Sequence, residues 1–521
     1  MTTLPIIDIL IIILYLAAMI YVGYYFSRRA KNQKQFTTAS GKIPGWAIGL
    51  SLYATFLSSN TFLGVPGKAF GGNWNAFAFS LSMPVAAWLA AKYFVPFYRA
   101  TGEVSAYSNL EKRFGPWART YAVICFILTQ IARIGSIFFG LALTLQALTG
   151  YDIHLIMLIT GTCIILYTVM GGIEAVIWTE VVQGILKTAG ALVVVYLVLS
   201  NIDGGIGAVY QIGRADHKFS LGSFVPDFTT STFWVVLLYG IFINLNNFGM
   251  DQNYVQRYHT AKSKKEAAKS VWVCVWIYIP ASLLFFVIGS CLYAYYNLNP
   301  ALLEPVRIQA AMERLGSGAS TQAVHQLAAS LKPADFGDKV MPHFMVTMMP
   351  AGLLGLIISA ILSAGMSTIS SGMNASATVF AEDVYKRYVN RHLSGKQNMR
   401  LLHIGTVVFG LTGMAAAMLM IGTQSILDVW WQLSGIFAGG MLGLFLLGIA
   451  SKRSGNGAAI LGTFIGIMVI VWMTFSYLIP KQYAFLKNPL DTNMTIVIGT
   501  LTIFFAGVLY TKVKKPSSTV T

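Results

Sequence analysis

Thirteen apolar stretches follow one another along this chain of 521 residues, and each is long enough to cross a lipid bilayer. A helix needs roughly 17–25 apolar residues to span the hydrocarbon core, which is about 30 Å thick. The stretches cover residues 5–27, 44–70, 74–98, 117–148, 153–170, 175–200, 232–255, 270–296, 344–381, 401–421, 425–448, 456–479 and 493–511. Only 11% of the residues are charged, whereas about 25% are charged in a typical soluble protein. The sequence therefore predicts an all-α integral membrane protein of about 13 transmembrane helices.

The chain has a formal net charge of +17, and most of its basic residues lie in the loops between these stretches. With the N-terminus placed outside, the inside loops carry 25 of the 36 Lys and Arg residues, and the outside loops carry 9. An excess of Lys and Arg is typical of cytoplasmic loops. We therefore predict a multi-pass protein of a bacterial inner membrane, with the N-terminus outside and the C-terminus in the cytoplasm. We expect a monomer that contacts the bilayer and a small-molecule substrate but no nucleic acid.

The sequence carries no signature of catalysis. Its four cysteines lie in or beside apolar stretches without metal-ligand spacing, and its histidines form no cluster. No P-loop, HExxH or GxSxG motif occurs in a fitting context. An intramembrane enzyme and a channel are the competing classes, and neither is favoured by these motifs. Because there is no ATP site, solute transport would have to be driven by an ion gradient.

Two of the predicted spans are interrupted by polar residues. The second span contains the polar patch of residues 53–67, which ends with Gly64, Pro66 and Gly67, and the seventh contains the stretch Asn244–Asp251. Such backbone is tolerated at membrane depth only where it lines protein or a water-filled cavity. The two interruptions lie five spans apart, which predicts two inverted repeats of a secondary transporter. The alternative is that these are ordinary small and polar residues in helix-packing faces.

The ninth span is lined with hydroxyl groups on one face. Its polar residues recur at spacings of three and four and are Ser363, Ser367, Thr368, Ser370, Ser371 and Asn374. Hydroxyls together with the freed carbonyls of a broken helix can ligate a monovalent cation without a fixed charge. Helix packing by small residues is the alternative.

Three charged residues lie inside the spans and are functional candidates, because a buried charge costs about 2.5–3.5 kcal/mol at mid-helix. The guanidinium of Arg133 is suited to a substrate carboxylate, or it could pair with helix carbonyls or with a carboxylate such as Glu180. Glu180 could ligate a cation, relay a proton or snorkel to the interface. Lys187 could pair with Glu180 or face a cavity. Asp251 is interpreted as an interfacial or gating residue.

These features resemble the sodium/solute symporters, a family that includes bacterial sialic acid, galactose and proline carriers. The resemblance covers essentially the whole chain, and its marks are the segments 171–183, 251–258, 374–385 and 434–443. It implies a LeuT-type fold within one transporter domain, residues 1–521. An extra helix (5–27) would precede two five-helix repeats (44–200 and 232–448), and two C-terminal helices (456–511) would follow.

The resemblance also implies sodium as the coupling ion, with one or two ions bound. We define sodium site 1 as the matching carbonyls of Ala54, Leu57 and Ala364 and the hydroxyls of Ser367 and Thr368. We define sodium site 2 as Glu180, Ser367, Ser370 and Ser371. At site 2 the bacterial sialic acid carriers have Asp where this chain has the longer Glu180.

For the substrate, the same resemblance implies contacts at Phe56, Ser58, Thr61, Ser80 and Arg133, and the second interruption adds Asn247 and Phe248. Arg133 matches the arginine that binds the substrate carboxylate, and Asn247 and Phe248 are candidates for the inner gate. Phe56 stands where the family has Thr, and Ser80 where it has Gln. The expected function is sodium-coupled import of an acidic sugar, sialic acid or a close relative, by alternating access. The alternative is symport of a neutral sugar or another small organic acid.

Overall fold

Helices form nearly all of the computed structural model, which describes residues 4–28, 33–316, 318–421 and 426–513. In chain order the main helices are α1 (Ile6–Ser27), α2 (Gly45–Phe56), α3 (Ser59–Gly71), α4 (Trp74–Thr101), α5 (Pro116–Thr149), α6 (Ile153–Ser200), α7 (Phe233–Met250), α8 (Gln252–Thr260), α9 (Lys264–Leu298), α10 (Leu353–Val379), α11 (Gly395–Leu419), α12 (Ile426–Ala450), α13 (Asn456–Phe475) and α14 (Met494–Val513). Shorter helices lie between them at Gln33–Thr38, Ser108–Phe114, Gly205–Ala215, Glu304–Leu315, Thr321–Ser330 and Gly337–Met348.

Ten of the described helices are long and apolar enough to cross a membrane, and the bent pair α2–α3 adds an eleventh span. Helix α6 has 48 residues, so if straight it would be about 72 Å long, more than twice the thickness of the hydrocarbon core. It is interrupted at Gly172, where φ is +61°, a conformation that glycine adopts readily. This bend lies between the predicted fifth and sixth spans. The total of thirteen spans and the division into two five-helix repeats stay predictions.

The first interruption lies within the predicted polar patch but not at its glycines and proline. The helix breaks at Leu57 and Ser58, which have extended ψ angles of 89° and 175°, and α2 and α3 meet there at an angle of 58°. Gly64, Pro66 and Gly67 lie inside α3 instead. Gly67 is needed for close packing, because a Cβ there would lie 2.9 Å from the backbone of Gly337 and Asp338.

The second interruption occurs later than the polar stretch suggested. Helix α7 continues through Asn244 and ends at Met250, and the chain leaves the helical conformation only at Asp251. The Asp251 carboxylate then accepts a hydrogen bond of 2.8 Å from the backbone N–H of Asn253 and caps α8. The amide side chains of this stretch therefore lie on a continuous helix, and one carboxylate begins the next helix.

Helix α10 lies at the centre of the bundle and is buried along almost its full length. It packs against α6, α5, α11 and α1, and its small hydroxyl-bearing residues allow these close contacts. The long segment at residues 297–343 contains the two helices Glu304–Leu315 and Thr321–Ser330. The break between α2 and α3 faces α10, which places broken backbone next to hydroxyl groups.

Candidate functional site

A cavity lies beside the break between α2 and α3 and is enclosed by α2, α3, α4, α5, α7, α9 and α12. Six of the seven predicted substrate contacts line it: Phe56, Ser58, Thr61, Ser80, Arg133 and Asn247. Phe248 is fully buried and lies outside the lining, where its ring packs 5.3 Å from that of Phe56. The cavity wall therefore contains all but one of the residues predicted for the substrate.

Arg133 projects from α5 into the wall of this cavity. Its Nη1 lies 3.3 Å from the Oδ2 atom of Asp251, and its Nη2 donates to the carbonyl of Thr55 and to the Tyr254 hydroxyl, each at 3.4 Å. The carboxylate partner expected as an alternative was Glu180, but the partner in the structure is Asp251. Asp251 is 3% exposed and lines the cavity, which does not agree with an interfacial position, whereas its gating role stays a prediction. At the break between α7 and α8 the chain turns inward and brings this carboxylate to Arg133.

The rest of the cavity wall is part apolar and part polar. The Phe56 ring packs against Tyr254 and Tyr278, with ring centres 4.9 and 5.5 Å apart. On the polar side, the hydroxyls of Ser80 and Ser282 are hydrogen-bonded at 2.7 Å. Asn246, which the sequence argument did not include, lines the cavity, and its Oδ1 has no hydrogen-bond partner among the described residues. An apolar face with a few polar groups is typical of a small-molecule site.

The oxygens of sodium site 1 come together where the α2–α3 break meets α10. The Ser367 hydroxyl donates to the carbonyl of Ala54 at 3.1 Å, and the Thr368 hydroxyl donates to that of Thr55 at 3.1 Å. The ammonium of Lys187 lies among them, with its Nζ 2.6 Å from the carbonyl oxygen of Ala54 and 2.7 Å from the Ser367 hydroxyl. These oxygens suit a sodium ion, but a cationic side chain already uses them, so the residues present do not fit a sodium ion at site 1.

Sodium site 2 is assembled only in part. Glu180 accepts a hydrogen bond from the Ser371 hydroxyl, so two of the four predicted ligands lie together. Ser370 instead donates to the backbone of its own helix, and Ser367 faces Lys187 at site 1. The Nη2 atom of Arg257 lies 2.9 and 2.7 Å from the two carboxylate oxygens of Glu180. Glu180 therefore pairs with Arg257 rather than with Lys187, and site 2 also contains a cationic side chain.

Arg257 is the site residue that the sequence argument placed wrongly. It was counted among the basic residues of an inside loop, but it lies on α8 with its side chain about 1% exposed. Its Nε donates to the Ser51 hydroxyl at 2.8 Å, and its Nη2 donates to Thr55 Oγ1 at 3.1 Å. A signal was available, because Arg257 belongs to the segment 251–258, one of the marks of the resemblance. On hydropathy alone, that polar segment is assigned to a loop.

Comparison with known proteins identifies the family. The sequence model of the sodium:solute symporter family matches residues 36–466. The chain belongs to this family. Its curated relatives include the sodium/sialic acid symporter SiaT of Proteus mirabilis, 34% identical with 95% of this chain and 92% of that protein covered. They also include the sodium/sialic acid symporter NanT of Aliivibrio fischeri, 32% identical with 94% and 91% covered.

Solved structures support the same conclusion about the fold. A structure of a Na⁺-coupled sialic acid symporter in a substrate-bound outward-open state superposes with a TM-score of 0.84, at 31% identity and with 98% of both chains covered. The nucleobase-cation symporter Mhp1 in a closed conformation shares the fold at 14% identity, with a TM-score of 0.56. The expectation of an all-α LeuT-type membrane fold is confirmed. The chain is a membrane transporter of a family that uses Na⁺ as its coupling ion, and it is not an enzyme.

Proposed function

We propose that this chain imports an acidic sugar, sialic acid in the first place, together with sodium and by alternating access. The observation that carries the proposal is the guanidinium of Arg133 in the wall of a cavity beside a broken helix. A planar guanidinium binds a carboxylate through two parallel hydrogen bonds. The names of the two bacterial relatives above support the choice of sialic acid. The proposed setting is a bacterial inner membrane, with the N-terminus outside, the C-terminus in the cytoplasm and the protein a monomer.

The balance of buried charge at the cavity and the two ion sites also supports an anionic substrate. Three cations, Arg133, Lys187 and Arg257, are buried there with two anions, Glu180 and Asp251. The formal charge of this set is therefore +1. Buried charges are stable when they are paired, and one substrate carboxylate would bring the set to zero. A neutral sugar would leave it at +1.

A second candidate is symport of another small organic acid. The pocket departs from the sialic acid carriers at Phe56 and Ser80, and both residues line the cavity in this chain. The human sodium-coupled monocarboxylate transporter 1 is also a relative, 28% identical with 87% of this chain and 70% of that protein covered. A smaller acid would keep the contact to Arg133 while needing fewer contacts to the altered side of the pocket.

The test is uptake of labelled sialic acid into proteoliposomes, for the wild type and Arg133→Ala. Hydrogen bonds to charged groups contribute about 1.5–3 kcal/mol, so we expect affinity for the carboxylate substrate to fall about 10- to 100-fold. Lys218→Met is the matched control, because Lys218 is a buried cation that does not line the cavity. Unchanged affinity in Arg133→Ala would refute the anion assignment. A lactate-sized acid transported in place of sialic acid would select the second candidate.

Sodium coupling is tested in the same vesicles. A tenfold inward sodium gradient supplies about 1.4 kcal/mol per ion, equivalent to a factor of ten in accumulation. We expect faster and more concentrative uptake with an inward sodium gradient than with potassium at the same ionic strength. Uptake that is identical with the two cations would contradict sodium coupling and would leave the substrate assignment standing.

A further inference from the structure

Lys187 lies at sodium site 1 with all of its hydrogen bonds satisfied. It is on α6, fully buried, and its Nζ lies 2.6 Å from the carbonyl oxygen of Ala54, 2.9 Å from that of Leu57 and 2.7 Å from the Ser367 hydroxyl. A lysine ammonium has three N–H donors and no acceptor. The three donors and the three acceptors match one to one.

These acceptors are three of the five oxygens that the resemblance implies for a bound sodium ion. The remaining two, the Ala364 carbonyl and the Thr368 hydroxyl, also make hydrogen bonds within the junction. Thr368 donates to Thr55, and the single hydroxyl hydrogen of Ser367 is shared between the carbonyls of Ala54 and Ala364, at 3.1 and 3.2 Å. A sodium ion at the centre of this group would lie within hydrogen-bond distance of the ammonium. Two like charges this close in a water-excluded site repel strongly.

The same substitution of a protein cation for an ion is seen at site 2. The guanidinium of Arg257 contacts both carboxylate oxygens of Glu180 and also donates to the Ser371 hydroxyl at 2.6 Å. Glu180, the carboxylate predicted to attract a second sodium ion, is therefore already neutralised. Arg257 and Lys187 come from different helices, α8 and α6, so two independent observations point in the same direction.

We propose that Lys187 is the resident cation of sodium site 1, and that the wild-type chain does not bind Na⁺ there. Resting on the proposed function, this means that sodium taken up with the substrate does not use these oxygens. The ammonium replaces the ion structurally, because its hydrogen bonds connect the carbonyls of the α2–α3 break to Ser367 on α10. Its position on α6 adds a third helix to that junction.

The test counts sodium ions bound to the purified protein, by equilibrium binding of ²²Na⁺. Lys187→Ala vacates the centre of the site, and we expect it to bind one more Na⁺ per chain than the wild type. Adding Thr368→Val to Lys187→Ala removes a hydroxyl ligand and should remove the extra ion. Lys218→Ala is the matched control, because Lys218 is also a buried lysine that donates to two carbonyls. We expect it to leave the count unchanged.

A second measurement does not depend on the folding of the Lys187 variant. Thr368→Val in the wild-type background should leave the sodium count unchanged, because no ion uses that hydroxyl. Loss of one bound Na⁺ in this variant would overturn the proposal, and so would a Lys187→Ala variant that binds no more Na⁺ than the wild type. Sialic acid binding is measured on the same preparations. The expected sodium counts without sialic acid binding would refute the proposed substrate and support the role of Lys187.

Discussion

Arg133 and Asp251 form a buried pair in the wall of the cavity, and a substrate carboxylate would have to share the guanidinium with Asp251. The separation of 3.3 Å and the position of Asp251 at the start of α8 make this pair looser than the one between Glu180 and Arg257. Arg133 also donates to Thr55 and Tyr254. If the substrate binds Arg133 as proposed, Asp251 would hold Arg133 in place before the substrate arrives and would compete with the substrate afterwards.

Asp251→Asn separates these two effects. The amide keeps an oxygen that can cap α8 through the N–H of Asn253, but it no longer neutralises Arg133. We expect the substrate-free protein to be less stable and carboxylate affinity to rise a few-fold, because an isolated buried guanidinium is unfavourable until an anion binds. Thermal unfolding with and without sialic acid measures both effects. Lower affinity in this variant would instead mean that Asp251 contacts the substrate directly.

The Glu180–Arg257 pair should behave as one unit. Both side chains are buried, and removing one partner leaves an uncompensated charge, which typically destabilises a protein by about 3–5 kcal/mol. We expect Glu180→Gln and Arg257→Met each to lower the unfolding temperature strongly. The double variant should be less destabilised than the sum of the two single variants, which a double-mutant cycle detects. Additive losses would show that the two residues act independently.

Among the helices, α1 anchors the N-terminus of α10. Asp8 is completely buried, and its Oδ1 accepts hydrogen bonds from the backbone N–H groups of Gly352 and Gly355 at 2.7 and 2.6 Å. Gly355 has to be glycine for this contact, because a Cβ there would lie 2.6 Å from the Cα of Asp8. The helix that precedes the predicted first repeat therefore fixes the helix that carries the hydroxyl groups.

Replacement of Asp8 tests that anchoring. Asp8→Ala leaves two N–H groups without their acceptor, and we expect a loss of about 1–2 kcal/mol in the free energy of unfolding. Asp8→Asn keeps an oxygen acceptor and should lose less. Chemical denaturation in mixed micelles provides the comparison. Equal losses in the two variants would show that the negative charge, rather than the hydrogen bonds, stabilises the start of α10.

Lys218, at the C-terminal end of α3, makes the stability of the protein depend on pH in the alkaline range. Its ammonium donates to the carbonyls of Phe70 and Gly72 at 2.7 and 3.0 Å. Burial lowers the pKa of Lys218 from 10.5 to about 8, against the opposing effect of the Asp216 carboxylate. The unfolded chain therefore binds more protons between pH 8 and 10.5, so this residue makes stability rise with pH across that window. The unfolding temperature of the wild type relative to Lys218→Met should increase from pH 7.5 to 10, and a decrease would contradict this.

At the scale of the whole molecule, the sequence was sufficient to predict features that depend on residues close together in the chain. Apolar length predicted an all-α membrane protein, and polar residues inside an apolar run predicted the first break. The gap between the predicted spans 153–170 and 175–200 coincides with the bend of α6 at Gly172. These signals are local because a membrane helix satisfies its own backbone hydrogen bonds. Five of the seven predicted substrate residues followed from the resemblance and two from the second interruption, and six of the seven lie in the cavity wall.

The partners of the buried charges could not be read in the same way. The acceptors of Lys187 lie 130, 133 and 180 residues away in the chain, and Glu180 meets Arg257 across 77 residues. Spacing within one helix suggested Glu180 as the partner of Lys187, but the packing of α6 against α2 and α10 turns the ammonium to the broken helix. A charged residue on a polar helix such as α8 also cannot be distinguished by hydropathy from one in a loop, because only tertiary contacts bury it.

Because Lys187 is part of the polypeptide, the junction at the α2–α3 break should not depend on the sodium concentration outside the cell. A diffusible ion leaves its site as its concentration falls, whereas a cation attached to the polypeptide has an effective concentration that dilution does not change. The junction of α6, the broken helix and α10 should therefore be equally stable at low and at high sodium concentration.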